Sequence, residues 1–315
     1  MKKTVYTAIA LIGIFFLFSG CGEEKVTKEM LPDYPLLIAE KNETDEWIEK
    51  NLTIPHNISV VYKWKDSETD LGRNLTPPSI ENVIPLLKAI QHIFIDTYVT
   101  EGGLDFFNAL CPKQFLLVGS YGYNSSGTIT LGEAEGGRKI SIFGVNFMKE
   151  PGRINRVMKT MHHEFGHILH QTKEFSPEYQ KISAQHYTSN WSNRTHEEAR
   201  ALGLISNYAS ANQNEDFVEM LSIFVTTPPG DQPGQWDYIC DNILDYGEKR
   251  NEAGSRVKLD KENATDVEIA RKASNALRQK ESMVRSYMKQ NWHIELDTLR
   301  SLVQSEIEKT LKDFK

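Results

Sequence analysis

Apolar positions change their spacing halfway along the chain. Up to about residue 150 they come in short β-branched or aromatic runs, "NISVVYKW", "KQFLLVGS", "SGTITLGEA" and "RKISIFGVN", and Gly- and Ser-rich turns part the last three. Such runs read as strands. Two helical patterns accompany them. "NETDEWIEKNL" has acids in its first turn and Lys50 near its end, which suits a short helix. "TPPSIENVIPLLKAIQHIFIDTYV" repeats Ile80, Val83, Leu86, Leu87, Ile90, Ile93 and Phe94 at helical spacing. Pro85 is expected either to kink that helix or to mark its first turn.

From Pro151 onward the pattern is almost entirely helical. "PGRINRVMKTMHHEFGHILHQ" starts after a Pro-Gly break, and "THEEARAL" opens with a capping box, Thr195 to Glu198. "NQNEDFVEMLSIFVTT" stops at Pro228-Pro229, and "QPGQWDYICDNILDYG" ends at a glycine. The last sixty residues alternate charge and apolar positions as long surface helices do. The prediction is an α+β fold, with a small mixed sheet in the N-terminal part packed on the helix around residue 163 and a mostly helical C-terminal half. The expected divisions are 41–150 for the α/β part, 151–230 for a helical metal-binding part and 231–315 for a C-terminal helical part.

The N-terminus is set apart from the fold. "MKK" precedes an apolar run of fourteen residues, Val5 to Phe18. A membrane span needs about 20, so residues 1–20 read as a secretory signal. The run ends in Ser19-Gly20-Cys21, which resembles the lipobox of bacterial lipoproteins, with Phe18 where leucine is usual. The resemblance implies cleavage before Cys21, lipidation of that residue and a membrane-tethered protein. Several acyl chains anchor firmly, because each buried methylene contributes about 0.8 kcal/mol. Residues 21–40 are polar and suit a tether. Glu23 and Glu24 follow the cysteine, as in the acidic export signal of surface-displayed outer-membrane lipoproteins. An arbitrary acidic linker and a periplasmic location are the alternatives.

Composition narrows the class further. The chain has 315 residues, 39% of them hydrophobic, and a net charge of −7 with no basic stripe. A nucleic-acid partner is therefore excluded. Besides Cys21 there are two cysteines, Cys111 and Cys240, compatible with a pair or with two buried thiols.

The chemistry gathers in "KTMHHEFGHILHQT", with four histidines on an apolar helix. His163-Glu164-Phe165-Gly166-His167 is an H-E-x-x-H. Residues i and i+4 share a helix face, so two imidazoles reach one Zn²⁺, and Glu164 can take a proton from a water there. His162 lies about 100° round the helix from His163 and is expected to face elsewhere. His170 is expected to support the ligands or the fold instead of binding metal. The longer H-E-x-x-H-x-x-G-x-x-H pattern fails, because position 170 is His and 173 is Lys.

Two histidines leave the ion short of a third ligand, with the fourth position kept for water. Glu215, at the start of the apolar helix carrying Phe217, Val218, Leu221 and Phe224, is the expected donor, since a carboxylate on such a helix needs a partner. Glu219, one turn on, is expected to orient a histidine or a backbone group. Glu219 itself, Glu197, Glu198 and Glu178 are the competing ligands.

With these residues in view, H-E-F-G-H followed 48 positions later by Glu215, in a Y-x₆-E-x-F-x-E arrangement of Tyr208, Glu215, Phe217 and Glu219, is similar to the lethal-factor-like gluzincin metallopeptidases. The resemblance spans about Val157 to Phe224. It implies a zincin-like fold, one Zn²⁺ per chain held by His163, His167 and Glu215, Glu164 as general base, and Tyr208 as donor to the transition-state oxyanion. On the residues alone Tyr208 is equally a half-buried aromatic in a loop.

The overall layout, lipobox included, also resembles zinc metallohydrolase lipoproteins encoded beside outer-membrane nutrient importers of the starch-utilisation type. Peptide or protein substrates and an import complex are the partners implied. A substrate would lie as an added strand on the edge of "GTITLGEA" or "RKISIFG". The alternatives are an importer accessory lipoprotein with a non-catalytic zinc, and a zinc amidohydrolase acting on a non-peptide amide. Glu164 argues against the first, because a structural site has no use for a base.

Overall fold

The computed structural model describes residues 40–69, 72–123, 129, 130, 132–135, 138–150 and 152–312. The proposed signal, Cys21 and nearly all of the tether lie outside these residues. Residues Asn42–Lys315 form one compact unit.

Its first element is α1 (Glu43–Ile48), closed by a capping box between Asn42 and Asp45. The box satisfies amides that a helix start leaves without partners. Strand β1 (Ser59–Val61) follows. Next come α2 (Ile80–Ile90), a π-helical turn (Gln91–Ile95), α3 (Asp96–Gly102) and α4 (Leu104–Leu110). The single helix expected here is thus a chain of segments. Pro85 sits inside α2 and not in its first turn, and the helix continues through it to Ile90.

Strands β2 (Gln114–Leu117), β3 (Gly122–Tyr123), β4 (Ile129–Thr130), β5 (Gly132–Glu135) and β6 (Lys139–Ile142) complete this half. The main sheet has the order β1-β2-β6-β5. β1, β2 and β6 run parallel, with Phe115 opposite both Val60 and Ile140. β5 is antiparallel to β6 and ends the sheet. A parallel pair needs a crossover of a dozen or more residues, and α2 to α4 provide the one between β1 and β2. The sequence-based expectation for substrate pairing is corrected here. β6, the "RKISIFG" strand, has neighbours on both sides and offers no edge, whereas β5, from "GTITLGEA", stands last in the sheet among the described residues.

Helix α5 (Arg153–Thr172) packs against β5 and β6. Its inner face is mainly apolar: Val157, Met158, Met161, Phe165 and Leu169 are buried, with His162 among them. Phe165 packs on Phe94, Tyr98 and Phe107, with centroid separations of 5.4, 4.8 and 6.0 Å. Short helices α6 (Glu178–Lys181) and α7 (His196–Ala201) lead to α8 (Gln213–Thr226).

α8 packs along α5, and Gly166 governs how closely. A Cβ at that position would stand 3.0 Å from Val218 Cγ1 and 3.3 Å from Leu221 Cδ2. Glycine inside a helix costs about 0.5–1 kcal/mol relative to alanine. Its presence is explained by the approach of the second helix.

The C-terminal part holds α9 (Trp236–Asp241), α10 (Ile243–Tyr246), α11 (Ala264–Trp292) and α12 (Leu296–Thr310). It also contains a hairpin of β7 (Glu248–Arg250) and β8 (Arg256–Lys258), which the helical pattern did not predict. A continuous core runs from Ile48 to Ile307. Among the described residues no helix is long and apolar enough to cross a membrane.

Candidate metal centre

The α-helical period places His163 and His167 on one face of α5, with ring centroids 4.9 Å apart. α8 supplies the third group. Asn212 caps it by accepting from the amides of Asn214 and Glu215, so Glu215 occupies the first turn, where backbone N–H groups favour an anion. His163 Nε2 lies 3.1 Å and His167 Nε2 3.4 Å from Glu215 Oε2. Donor atoms of the three residues fall within 4.8 Å of one another.

Glu215 Oε2 is buried and yet makes no hydrogen bond with either nitrogen. The three atoms point at a shared space. Tetrahedral ligands at zinc's usual ~2.0–2.1 Å lie roughly 3.3 Å apart, which these spacings fit. The donor set, two imidazoles and a carboxylate, is also one that zinc takes.

A second tier holds the ligands in place. His163 Nδ1 is 2.7 Å from Glu219 Oε1. A proton on Nδ1 directed at a carboxylate leaves the Nε2 lone pair facing the site. Glu219 in turn accepts from the Ser206 hydroxyl at 2.6 Å and pairs with Lys159. His167 Nδ1 is 3.0 Å from His170 Nε2. Burial and the neighbouring His167 push His170 down to about 4, so its ring is neutral and can accept that proton.

Charge at the site favours a cation. Burial works against a charged ring at His163, but Glu215 and Glu219 outweigh it and hold the group up at about 9. Burial likewise works to raise Glu215, and the two histidines prevail, bringing it down to about 2. Glu219 is held well below the carboxylate range by Lys159 and His163 in spite of its burial. Glu164 is buried and raised by that burial, against the pull of the two histidines. Tyr208 lies beside His163, with near-parallel rings 5.8 Å apart, and Trp191 meets it edge-on at 4.7 Å. Burial first, then the carboxylates of Glu215, Glu219 and Glu164, keep its hydroxyl protonated far above neutral pH.

The other candidates fall elsewhere. His162 is buried against Phe94 and 3.3 Å from the Tyr98 hydroxyl, and burial lowers it to about 3. Glu198 caps α7 and pairs with Arg250 and Arg256. Glu178 makes an exposed pair with Lys181 at 2.5 Å. Cys111 and Cys240 are free thiols, both buried. Sequence reasoning missed Lys159 and Ser206. Lys159 stands one turn before His163, a spacing that could have flagged it, whereas Ser206 carries no local signal.

The mixed α/β fold brings His163, His167 and Glu215 together beside a buried acid, an arrangement suited to zinc, and comparison with known proteins gives the class. Residues 38–297 match the family described as "putative zinc-binding metallo-peptidase", and the chain belongs to that family. It is also similar to a crystal structure of a putative zinc-binding metallo-peptidase from Bacteroides caccae. The identity is 31% and the TM-score 0.65, over 85% of this chain and 93% of the other. No curated protein matches the chain.

Proposed function

We propose that this family member is a lipid-anchored, zinc-dependent peptidase of the gluzincin type. His163, His167 and Glu215 would hold one zinc ion, Glu164 would act as base, and Tyr208 would act as hydrogen-bond donor. The observation that carries this reading is the convergence of two imidazole nitrogens on a buried carboxylate oxygen that has no hydrogen-bond partner.

When bound, zinc supplies a Lewis acid that polarises a carbonyl and brings the pKa of water towards about 7. The chain's own groups do the rest. Glu164 takes a proton from the attacking water at its carboxylate and delivers it to the leaving nitrogen. Its burial raises it above the ordinary carboxylate value, against the pull of His163 and His167. The Tyr208 hydroxyl, held protonated, donates to the oxygen on which charge builds, a contribution of about 3 kcal/mol in comparable sites. Glu219 and His170 keep the two imidazoles oriented through their Nδ1 atoms. A peptide would add as a strand beside β5, which ends the sheet among the described residues and lies next to α5.

Membrane attachment through Cys21 and display on the outer membrane rest on the lipobox-like "FSGC" and on Glu23 and Glu24. A place beside a nutrient importer rests on the resemblance in layout.

The test is metal analysis of the purified soluble domain, followed by cleavage of a peptide library with and without chelator. The expected result is one zinc per chain and cleavage that stops on chelation. Full activity of Glu164→Ala on a cleavable peptide would overturn the mechanism.

A further inference from the structure

Two adjoining cavities lie on the face formed by α7, the β7–β8 hairpin and α11, and none of the metal-site residues lines either. One, of about 440 Å³, is lined by Thr188, Asn190, Asn193, Arg194, Arg250 and Arg256, with no acidic residue among them. The other, of about 480 Å³, shares Arg194 and Arg250 with it and adds a group of apolar side chains to its wall. Ile182, Leu202, Ile269 and Ala276 contribute to that wall and are only half-buried.

The cationic end is built, not incidental. Register places Arg250 opposite Arg256 across the hairpin. Both are fixed by Glu198, at 2.8 and 2.7 Å, and by the Asn193 carbonyl, at 3.0 and 2.6 Å. Arg194 is held by the His186 carbonyl at 2.5 Å. The carboxylates nearby are Glu198 and Glu248, and Glu248 accepts from the Thr195 hydroxyl at 2.9 Å. Three guanidiniums against two carboxylates leave one positive charge to be matched. Lys249 and Lys272 are already paired, with Asp266 and Glu268.

We propose that this double cavity binds an apolar carboxylate, its acid group among Arg194, Arg250 and Arg256 and its apolar part against Ile182, Leu202, Ile269 and Ala276. Guanidinium suits the acid because its fork of donors matches a carboxylate's two oxygens. The half-buried apolar wall gains by being covered. The C-terminal residue of a peptide and a free amphipathic acid share this chemistry. The site is independent of the metal-centre reading.

Calorimetric titration of the zinc-loaded protein with N-acetylleucine, its amide, octanoate and sulfate tests it. Binding of N-acetylleucine but not of the amide supports a peptide end as ligand. Binding of octanoate but not of N-acetylleucine supports a free acid. Either affinity is expected to survive chelator, and to fall by at least about tenfold in Arg194→Ala, since a charge-assisted hydrogen bond is lost. Ala276→Phe, which fills the apolar cavity and leaves the arginines intact, is expected to weaken it as well. Binding by neither acid, binding by sulfate alone, loss on chelation, or indifference to both substitutions would overturn the proposal.

Discussion

His163 Nδ1 and Glu219 Oε1 lie 2.7 Å apart although 56 positions separate the two residues in the chain. Through this contact α8 grips α5 twice, once at each side of the His163 ring, since Glu215 stands 3.1 Å from Nε2. Removing Glu219 therefore frees the ring and leaves Lys159 without its carboxylate. Glu219→Ala is expected to weaken zinc binding about 10–100-fold, with Glu219→Gln recovering part of the loss. Competition against a chelating dye measures it.

Glu215→Ala removes the donor itself, and zinc content is expected to fall to background after dialysis. Loss of a buried charge also takes away a desolvation cost, so the fold should persist. Mass spectrometry of metal content and circular dichroism separate the two effects. Zinc retained at full stoichiometry would refute the assignment.

Glu164→Ala leaves all three donors in place. It is expected to keep zinc while the catalytic rate falls by a factor of about 10²–10⁴, the range for loss of a general base. Zinc content and peptide cleavage measured on one preparation decide it.

Asp216, next to Glu215, points to the other side of α8. There its Oδ2 meets Lys280 Nζ of α11 at 2.5 Å with both side chains fully buried, and the Tyr187 hydroxyl donates to it at 3.0 Å. Breaking a buried pair from one side strands a charge. Lys280→Met alone is expected to cost about 3–5 kcal/mol in urea unfolding, and Asp216→Leu with Lys280→Met to recover most of that. A single variant as stable as the double would contradict this reading.

Glu198 sets a pH dependence. Burial works to raise it, but Arg256, the Thr195 amide and Arg250 hold it below its ordinary 4.5. A carboxylate depressed by folding stabilises the native state above its unfolded pKa and loses that contribution as pH falls through the folded one. The melting-temperature gap between wild type and Glu198→Gln is therefore expected near pH 7 and to shrink below about pH 4.5. A gap that widened in acid would reverse the sign.

Several parts of this architecture are legible without coordinates. The capping box at Thr195, the strand runs around Phe115 and Ile140, and the apolar face of α5 all follow from local pattern. The hairpin at 248–258 does not. Its strands, Glu-Lys-Arg and Arg-Val-Lys, are nearly all charged and show no alternation, because they are held by arginine contacts to Glu198 and not by burying a face. Strand order is equally silent. β6 reads as well as β5 for an open edge until pairing with β2 closes it.

The sequence by itself determined the pair of imidazoles with an acid between them, because the helical repeat puts residues four apart on one face whatever surrounds them. It also marked Glu215 as a charge in need of a partner. Tertiary structure alone decided that Glu215 and Glu219 reach His163. Their approach depends on two distant helices meeting where Gly166 has no side chain to hold them apart, and no local periodicity encodes a contact between segments so far separated.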